Sequence, residues 1–420
     1  MRSTPMTPAA CLSLMASAVA LTCLLTAAPA SATPLTHTPA RPSNPAASGS
    51  SAPAPFDKRA VHAALEAAVG DSVVGVQARV SGRDARWAGT AGSAEAGRTR
   101  PVPREGRFRI GSITKTFVAT VVLQLVAEGR IGLDRPIQEY LPDALPADYP
   151  PITVRHLLQH TSGIPNYRPE VMSDPEEVLR HRWRQWHPGE LVAVATAHPR
   201  LFEPGTAQSY GNTNYILLGM LIQDATGRTW EQEVTRRLIK PLGLTATSAP
   251  DRDPHIPGPH AHGYMTAGGR LVDITVVNPS AVDAAGAMIS STRDLNTFLG
   301  ALLTGAVLPP PLLAEMLRPF PGGTVGIAGY GLGVMTLTLP PECGGETLYG
   351  HGGGTFGFSS LALATRDARR LAISTNTTAF DDANSPLPKL LAITQAAYCG
   401  PATSPPAGTG SSNRPPLAPA

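Results

Sequence analysis

Ser112 and Lys115 stand three residues apart in the stretch FRIGSITKTF, in a chain where only four of the 34 basic residues are lysine. Residues at i and i+3 share a helical face, so an uncharged amine at 115 can take the proton of the 112 hydroxyl and leave an oxygen nucleophile. That chemistry requires a deprotonated lysine, which calls for burial or a cationic or phenolic neighbour. A serine at a helix N-terminus also meets free N–H groups and the positive end of the helix dipole, both favourable to a developing oxyanion. Taken alone, S-x-x-K is common by chance and reads as an N-cap serine followed by a surface lysine.

Two further stretches change that reading. Tyr210-Gly211-Asn212 lies in FEPGTAQSYGNTNYILLGMLIQ, and His351-Gly352-Gly353 lies in LYGHGGGTFGF. With VRHLLQHTSGI and AAGAMISSTRDL, the order S-x-x-K, Y-x-N, H-x-G resembles the penicillin-recognising serine hydrolases. More narrowly, it resembles the branch shared by class C β-lactamases and secreted actinobacterial D-alanyl-D-alanine carboxypeptidases, and the likeness covers nearly all of residues 56 to 400.

The resemblance implies an α/β (α+β) fold, an antiparallel sheet flanked by helices plus an all-helical subdomain, with the active site between them. It implies that Ser112 forms an acyl-enzyme, that Lys115 helps activate it, and that Tyr210 carries a proton to the leaving group and later helps activate water. A phenol beside an ammonium is acidified, so each would hold the other near a usable pKa. Asn212 would hold a substrate amide, and His351 would supply positive or donor character on the strand edge. Gly353 would admit the substrate backbone, as a residue without Cβ can. The oxyanion donors would be the backbone N–H groups of Ser112 and Gly354. No cofactor or metal is implied.

The chain departs from the carboxypeptidase pattern at one place. Those enzymes usually carry hydroxyl residues on both sides of the third-motif glycine, where a terminal carboxylate binds, whereas this chain has Gly352 and Gly354. The arginine often found near the preceding strand is also missing from YGLGVMTLTLP. A carboxylate without such partners loses charge-assisted bonds of about 1.5 to 3 kcal/mol each, a loss of tenfold or more in binding. A neutral ester or amide would suffer less. The expected activity is that of a D-alanyl-D-alanine carboxypeptidase-like serine hydrolase acting on cell-wall peptides. The alternatives are a β-lactamase, esterase or D-amino-acid amidase of the same fold, or a penicillin-binding sensor that acylates without turnover.

The elements that must position these groups can be read from periodicity. FDKRAVHAALEAAVG has helical spacing, SVVGVQARVSGRDARWAGTAG reads as a hairpin, and SITKTFVATVVLQLVAEGRI reads as an amphipathic helix with Phe117, Val121, Val122, Leu125 and Val126 on its apolar face. SSTRDLNTFLGALLTG opens with a capping box from Ser291 to Asp294. Strand signals return at residues 346–377, with a turn at Arg366-Asp367 and a closing helix from about Leu387 to Tyr398. Strands at both ends with helices between suggest a discontinuous α/β unit, about 56–140 and 285–400, holding a helical part of about 141–284.

Composition limits what else the chain can be. At 420 residues, 42% hydrophobic and 15% charged, it is an ordinary globular chain, and a formal charge of +3 without basic runs gives no nucleic-acid footprint. Residues 1–32 read as a secretory signal ending in Ala30-Ser31-Ala32, so a secreted protein with no stable membrane anchor is expected. Residues 33–55 and 401–420 are Pro-, Ala-, Ser- and Thr-rich flanks expected to be disordered. Cys343 and Cys399 would remain in the mature chain, and an even pair in an oxidising compartment is expected to bridge. His255, His260 and His262 read as a polar loop and not a metal site. His156 and His160 read as capping groups, and Phe356 and Phe358 as either core or cleft wall. A monomer acting on a small-molecule or peptide substrate is expected.

Overall fold

The computed structural model describes residues 56–400 except 71–72, 84, 173, 268–269, 327, 367–368 and 379–384. The signal segment 1–32, the flank 33–55 and the tail 401–420 lie outside the described residues. Among those described, no helix is long and apolar enough to cross a membrane.

Seven strands form one antiparallel sheet: β1 (Gly75–Ser81), β2 (Arg86–Gly92), β3 (Gly329–Tyr330), β4 (Met335–Thr338), β5 (Thr347–Thr355), β6 (Phe358–Ala364) and β7 (Arg370–Thr375). Their spatial order is β2-β1-β7-β6-β5-β4-β3, so the N-terminal hairpin joins the C-terminal meander edge to edge. β6 is buried along its whole length because both faces are covered. Leu361, Leu363, Leu371 and Ile373 meet helices α1 (Lys58–Ala68) and α5 (Leu387–Cys399) through Val61, Leu65, Leu390 and Ile393. The alternate residues Ala362, Ala364 and Ala372 join a second, larger core on the opposite face. There the small alanines admit helix α4 (Thr292–Leu303) close to the sheet, as the period-2 alternation of strand side chains allows.

Helix α2 (Thr114–Ala127) runs behind the nucleophile and departs from the amphipathic expectation. Every residue from Thr114 to Leu123 is buried, and it packs against α4 through stacked Phe117 and Phe298 and against α3 (Thr213–Thr226) on another side. An all-round buried helix is apolar on every face. Of its four buried polar residues, Thr114, Lys115, Thr116 and Thr120, the last two bond backbone oxygens, of Gly333 at 2.8 Å and of Thr116 at 2.7 Å. Between residues 154 and 239 the structure is a run of helices joined by loops. A short hairpin, Tyr264–Ala267 with Arg270–Asp273, follows within the stretch read as helical and pairs with Thr377–Thr378. The Ser291 side chain caps α4 by accepting from the Asp294 N–H at 3.3 Å, but the Asp294 carboxylate turns away to Ala246 N and Thr247 Oγ1.

Cys343 and Cys399 form a disulfide across 56 residues of sequence, tying the end of α5 to the turn before β5. Such a bridge fits a protein outside the reducing cytoplasm. By loop-closure entropy a bridge of this span stabilises by about 2–4 kcal/mol. Replacing both cysteines by serine is expected to lower the thermal midpoint by several degrees, read by calorimetry with and without reductant. An unchanged midpoint in the double variant would show that the bridge contributes nothing.

Candidate active site

Ser112 sits in a single 3-10 turn, Gly111–Ile113, that leads directly into α2. The turn is held against the sheet by close backbone contact. A Cβ at Gly353 would lie 2.0 Å from the Ile110 carbonyl oxygen, and a Cβ at Gly111, whose φ is +51°, would lie 2.9 Å from Gly354 N. Ser360 Oγ fastens the junction by donating to Ile110 O at 3.1 Å. Glycine at 111 and 353 is therefore what lets the serine reach the strand edge. Gly352 and Gly354 differ from them. A Cβ at 354 would meet nothing within 4 Å, and one at 352 would make only ordinary contacts.

Lys115 is fully buried. Its Nζ stands 3.0 Å from Ser112 Oγ, 2.8 Å from Asn212 Oδ1 and 2.8 Å from the Ala285 carbonyl. Two of these partners can only accept, so they take the two hydrogens of a neutral amine and leave its lone pair facing the serine hydroxyl. Burial, reinforced by the positive charge of Arg168, holds the amine well below the usual lysine range. Asn212 is itself positioned by its backbone N–H donating to Asn166 Oδ1 at 3.1 Å at the start of α3.

Tyr210 lies near Ser112, and its ring centre lies 4.9 Å from Lys115 Nζ. The expected acidified phenol is not what forms. Burial raises the Tyr210 phenol above its ordinary value and outweighs the opposing effects of Ser112 and Arg168. Both the amine and the phenol are therefore neutral at rest, and desolvation, not mutual attraction, sets their state.

The donor character expected of His351 is likewise absent from the cleft. Its Nδ1 donates to the Gly352 carbonyl at 2.5 Å, so Nε2 accepts from the Tyr330 hydroxyl at 3.0 Å, and the ring is buried. Burial pushes the imidazole down to about 3, and Lys115 adds to this only where acid protonates it. A neutral histidine with both nitrogens engaged offers a substrate neither charge nor hydrogen.

Four site residues escaped the reading of motifs. His160 adopts φ 61°, is completely buried, and packs at a tilt of 47° against Tyr210 with centroids 4.3 Å apart, while Nδ1 meets Asn214 Nδ2 at 3.1 Å. Tyr330 packs edge-on to Tyr210 and His351. Arg168 and Met172 bound a cavity of about 100 Å³ that opens beside Ser112, with Asn212, Gly286, Gly354 and Phe356 on its other walls. Only the HTSG stretch gave a sign of any of these. His156 does cap its helix, accepting from Thr153 N at 3.3 Å. Phe356 forms cleft wall and Phe358 core. His255 and His260 bond Asp253 and the Gly258 carbonyl within their own loop, and His262 bonds Asp273 at the end of the strand Arg270–Asp273. Larger clefts of about 320 and 450 Å³ do not reach Ser112.

A serine, a buried neutral lysine and a phenol around one oxygen make an acyl-transfer site, and known proteins carry the same arrangement of chain. The family model described as Beta-lactamase matches residues 61–397. The chain belongs to the beta-lactamase family. It is a serine hydrolase of that fold, with penicillin-binding proteins, β-lactamases, an esterase and D-amino acid amidases among its relatives. A D-stereospecific amidohydrolase from Streptomyces sp. superposes with a TM-score of 0.74 at 41% identity, covering 82% of this chain and 99% of that one. The D-amino acid amidase of Ochrobactrum anthropi SV3 gives 0.69 at 30% identity over 80% and 97%. Penicillin-binding protein 4* of Bacillus subtilis is 25% identical, the match spanning 67% of this chain and 63% of that protein.

The hydrolase has only four lysines, Lys58, Lys115, Lys240 and Lys389. Lysine-selective isotope labelling followed by NMR titration is expected to show one signal deprotonating far below the ordinary lysine range and disappearing in Lys115→Met. Arg168→Ala removes a positive charge, so it should move that titration to higher pH. Four coincident titrations near the ordinary lysine value would contradict the neutral amine.

Proposed function

We propose that this protein is an exported serine amidohydrolase of D-amino-acyl substrates, acting on amides, esters or peptides whose leaving group carries no carboxylate. Ser112 Oγ attacks the carbonyl as its proton passes to the Lys115 lone pair. The oxyanion is received by the backbone N–H groups of Ser112 and Gly354, and Tyr210 delivers a proton to the departing amine. The C–O bond to the enzyme forms as the carbonyl pair moves to the oxyanion, and the C–N bond breaks when the carbonyl re-forms. Water, relieved of its proton through Tyr210 and Lys115, then releases the acid and restores the serine. Asn212, which already orients Lys115, holds the acyl amide.

One observation carries the choice of leaving group. The strand edge from His351 to Gly354 presents no hydroxyl and no charge, because His351 is neutral with both nitrogens bonded inward and Gly352 and Gly354 carry no side chain. A terminal carboxylate placed there would be desolvated without compensation. The likeness to a D-stereospecific amidohydrolase and to D-amino acid amidases supports the D-configuration of the acyl group. The export segment and the Cys343–Cys399 bridge support action outside the cytoplasm.

N-acetyl-D-alanine amide and N-acetyl-D-alanyl-D-alanine share an acyl group and differ in whether the leaving group bears a carboxylate. The expected kcat/KM favours the amide by about tenfold or more, and N-acetyl-L-alanine amide should be turned over poorly. Because positions 352 and 354 have room for side chains, Gly352→Thr with Gly354→Ser should raise the rate on the dipeptide relative to the amide. Preferential cleavage of the dipeptide by the wild type would return the carboxypeptidase reading to first place.

A further inference from the structure

The cavity beside Ser112 has a polarity that the catalytic groups do not explain. Met172, Val282, Ala285 and Phe356 give it apolar walls, and Arg168 is the one charged residue among the described residues that line it. Thr355 also lines it, and Thr355 Oγ1 is a buried hydroxyl without a hydrogen-bond partner among the described residues. Buried hydroxyls are almost always paired, so an orphan beside a cavity marks a place where a ligand atom belongs. Arg168 stands at the N-terminal end of the short helix Arg168–Val171, and Thr355 ends β5, so the two approach from the helical and the sheet sides of the cleft.

Which part of the substrate enters follows from Tyr210. The leaving amine must lie near the phenol that protonates it, and neither Tyr210, Tyr330 nor His351 lines this cavity. The space therefore lies on the acyl side of Ser112. At about 100 Å³ it holds roughly three waters' worth of volume, enough for a carboxylate with one adjoining methylene. A guanidinium presents a fork of N–H groups that matches a carboxylate, and a threonine hydroxyl adds a further donor.

We propose that this cavity is an acyl-side subsite for an anionic group, with Arg168 as its specificity-determining residue and Thr355 as a second donor. The inference rests on the acyl-transfer reading above and narrows it. The preferred acyl donors are D-amino-acyl amides or peptides that carry a carboxylate on the acyl portion, and a free α-ammonium at that place is disfavoured by like charge.

Three substrates separate the possibilities: N-succinyl-, N-acetyl- and unsubstituted D-alanine amide, carrying a carboxylate, no charge and an ammonium. For the wild type, kcat/KM should rise in the order ammonium, neutral, anionic, with the anionic donor at least about tenfold above the neutral one. Arg168→Ala should collapse that ratio towards one, Arg168→Lys should retain part of it, and Arg168→Glu should turn the preference towards the ammonium. Thr355→Val should reduce the ratio by less than Arg168→Ala does. A wild-type ratio near one, or a ratio unmoved in Arg168→Ala, would overturn the subsite and leave the amidohydrolase reading standing. If none of the three is hydrolysed and no acyl group appears on Ser112 by mass spectrometry, the amidohydrolase reading fails, and the subsite fails with it.

Discussion

An amine that cannot hold its proton is the constraint from which the rest of this structure follows. Lys115 lies at the start of a helix buried on every side, and each partner of its nitrogen is an oxygen of an uncharged group. An isolated charge there would cost several kcal/mol, so the folded state keeps the amine neutral. The sign of the linkage is fixed by that choice. Below the ordinary lysine pKa the unfolded chain takes up a proton that the folded chain refuses, so stability falls as the pH drops from there towards the depressed folded value. Stability is given up at neutral pH in return for a base that needs no prior activation.

The scaffold around this group is arranged to keep water out and the oxygen in reach. Covering both faces of β6 makes the sheet rigid, and the flush contact of Gly111 with Gly354 brings the nucleophile to its edge without a spacer. Ala285, whose carbonyl fixes one amine hydrogen, belongs to the one-turn helix Asp283–Gly286, which packs in the same core as α2. The cluster of His160, Tyr210, Tyr215 and Tyr330 surrounds the amine with ring faces and neutral dipoles instead of carboxylates. A carboxylate in that position would have restored the lysine's charge and ended its use as a base.

Motif spacing carried the identity of the reacting atoms, because Ser112 with Lys115, and Tyr210 with Asn212, are local relations that a turn or a helix start preserves. The hairpin 75–92 and the closing helix were legible for the same reason: their signals are periodic and their ends are marked. Properties set by long-range burial were not. Nothing near residue 351 indicates that Tyr330 will take up the imidazole, so a histidine read as a donor becomes a sealed acceptor. The helix 114–127 looked amphipathic because Thr116 and Thr120 interrupt its apolar run, yet those hydroxyls bond carbonyls inside the core. Arg168 opens a one-turn helix with no periodic or motif signal, and only the folded chain brings it from 56 residues away to the wall beside Ser112.

The claim on which everything turns is that burial of Lys115, reinforced by Arg168, makes Ser112 nucleophilic near neutral pH. The rate of Ser112 modification by a fluorophosphonate reagent, followed by intact-protein mass spectrometry across pH, tests it without reference to any substrate. The account predicts rapid modification at neutral pH, a single acid limb well below the ordinary lysine pKa, and loss of reactivity in Lys115→Met. Reactivity that rises only near pH 10, or that persists undiminished without the lysine, would contradict it.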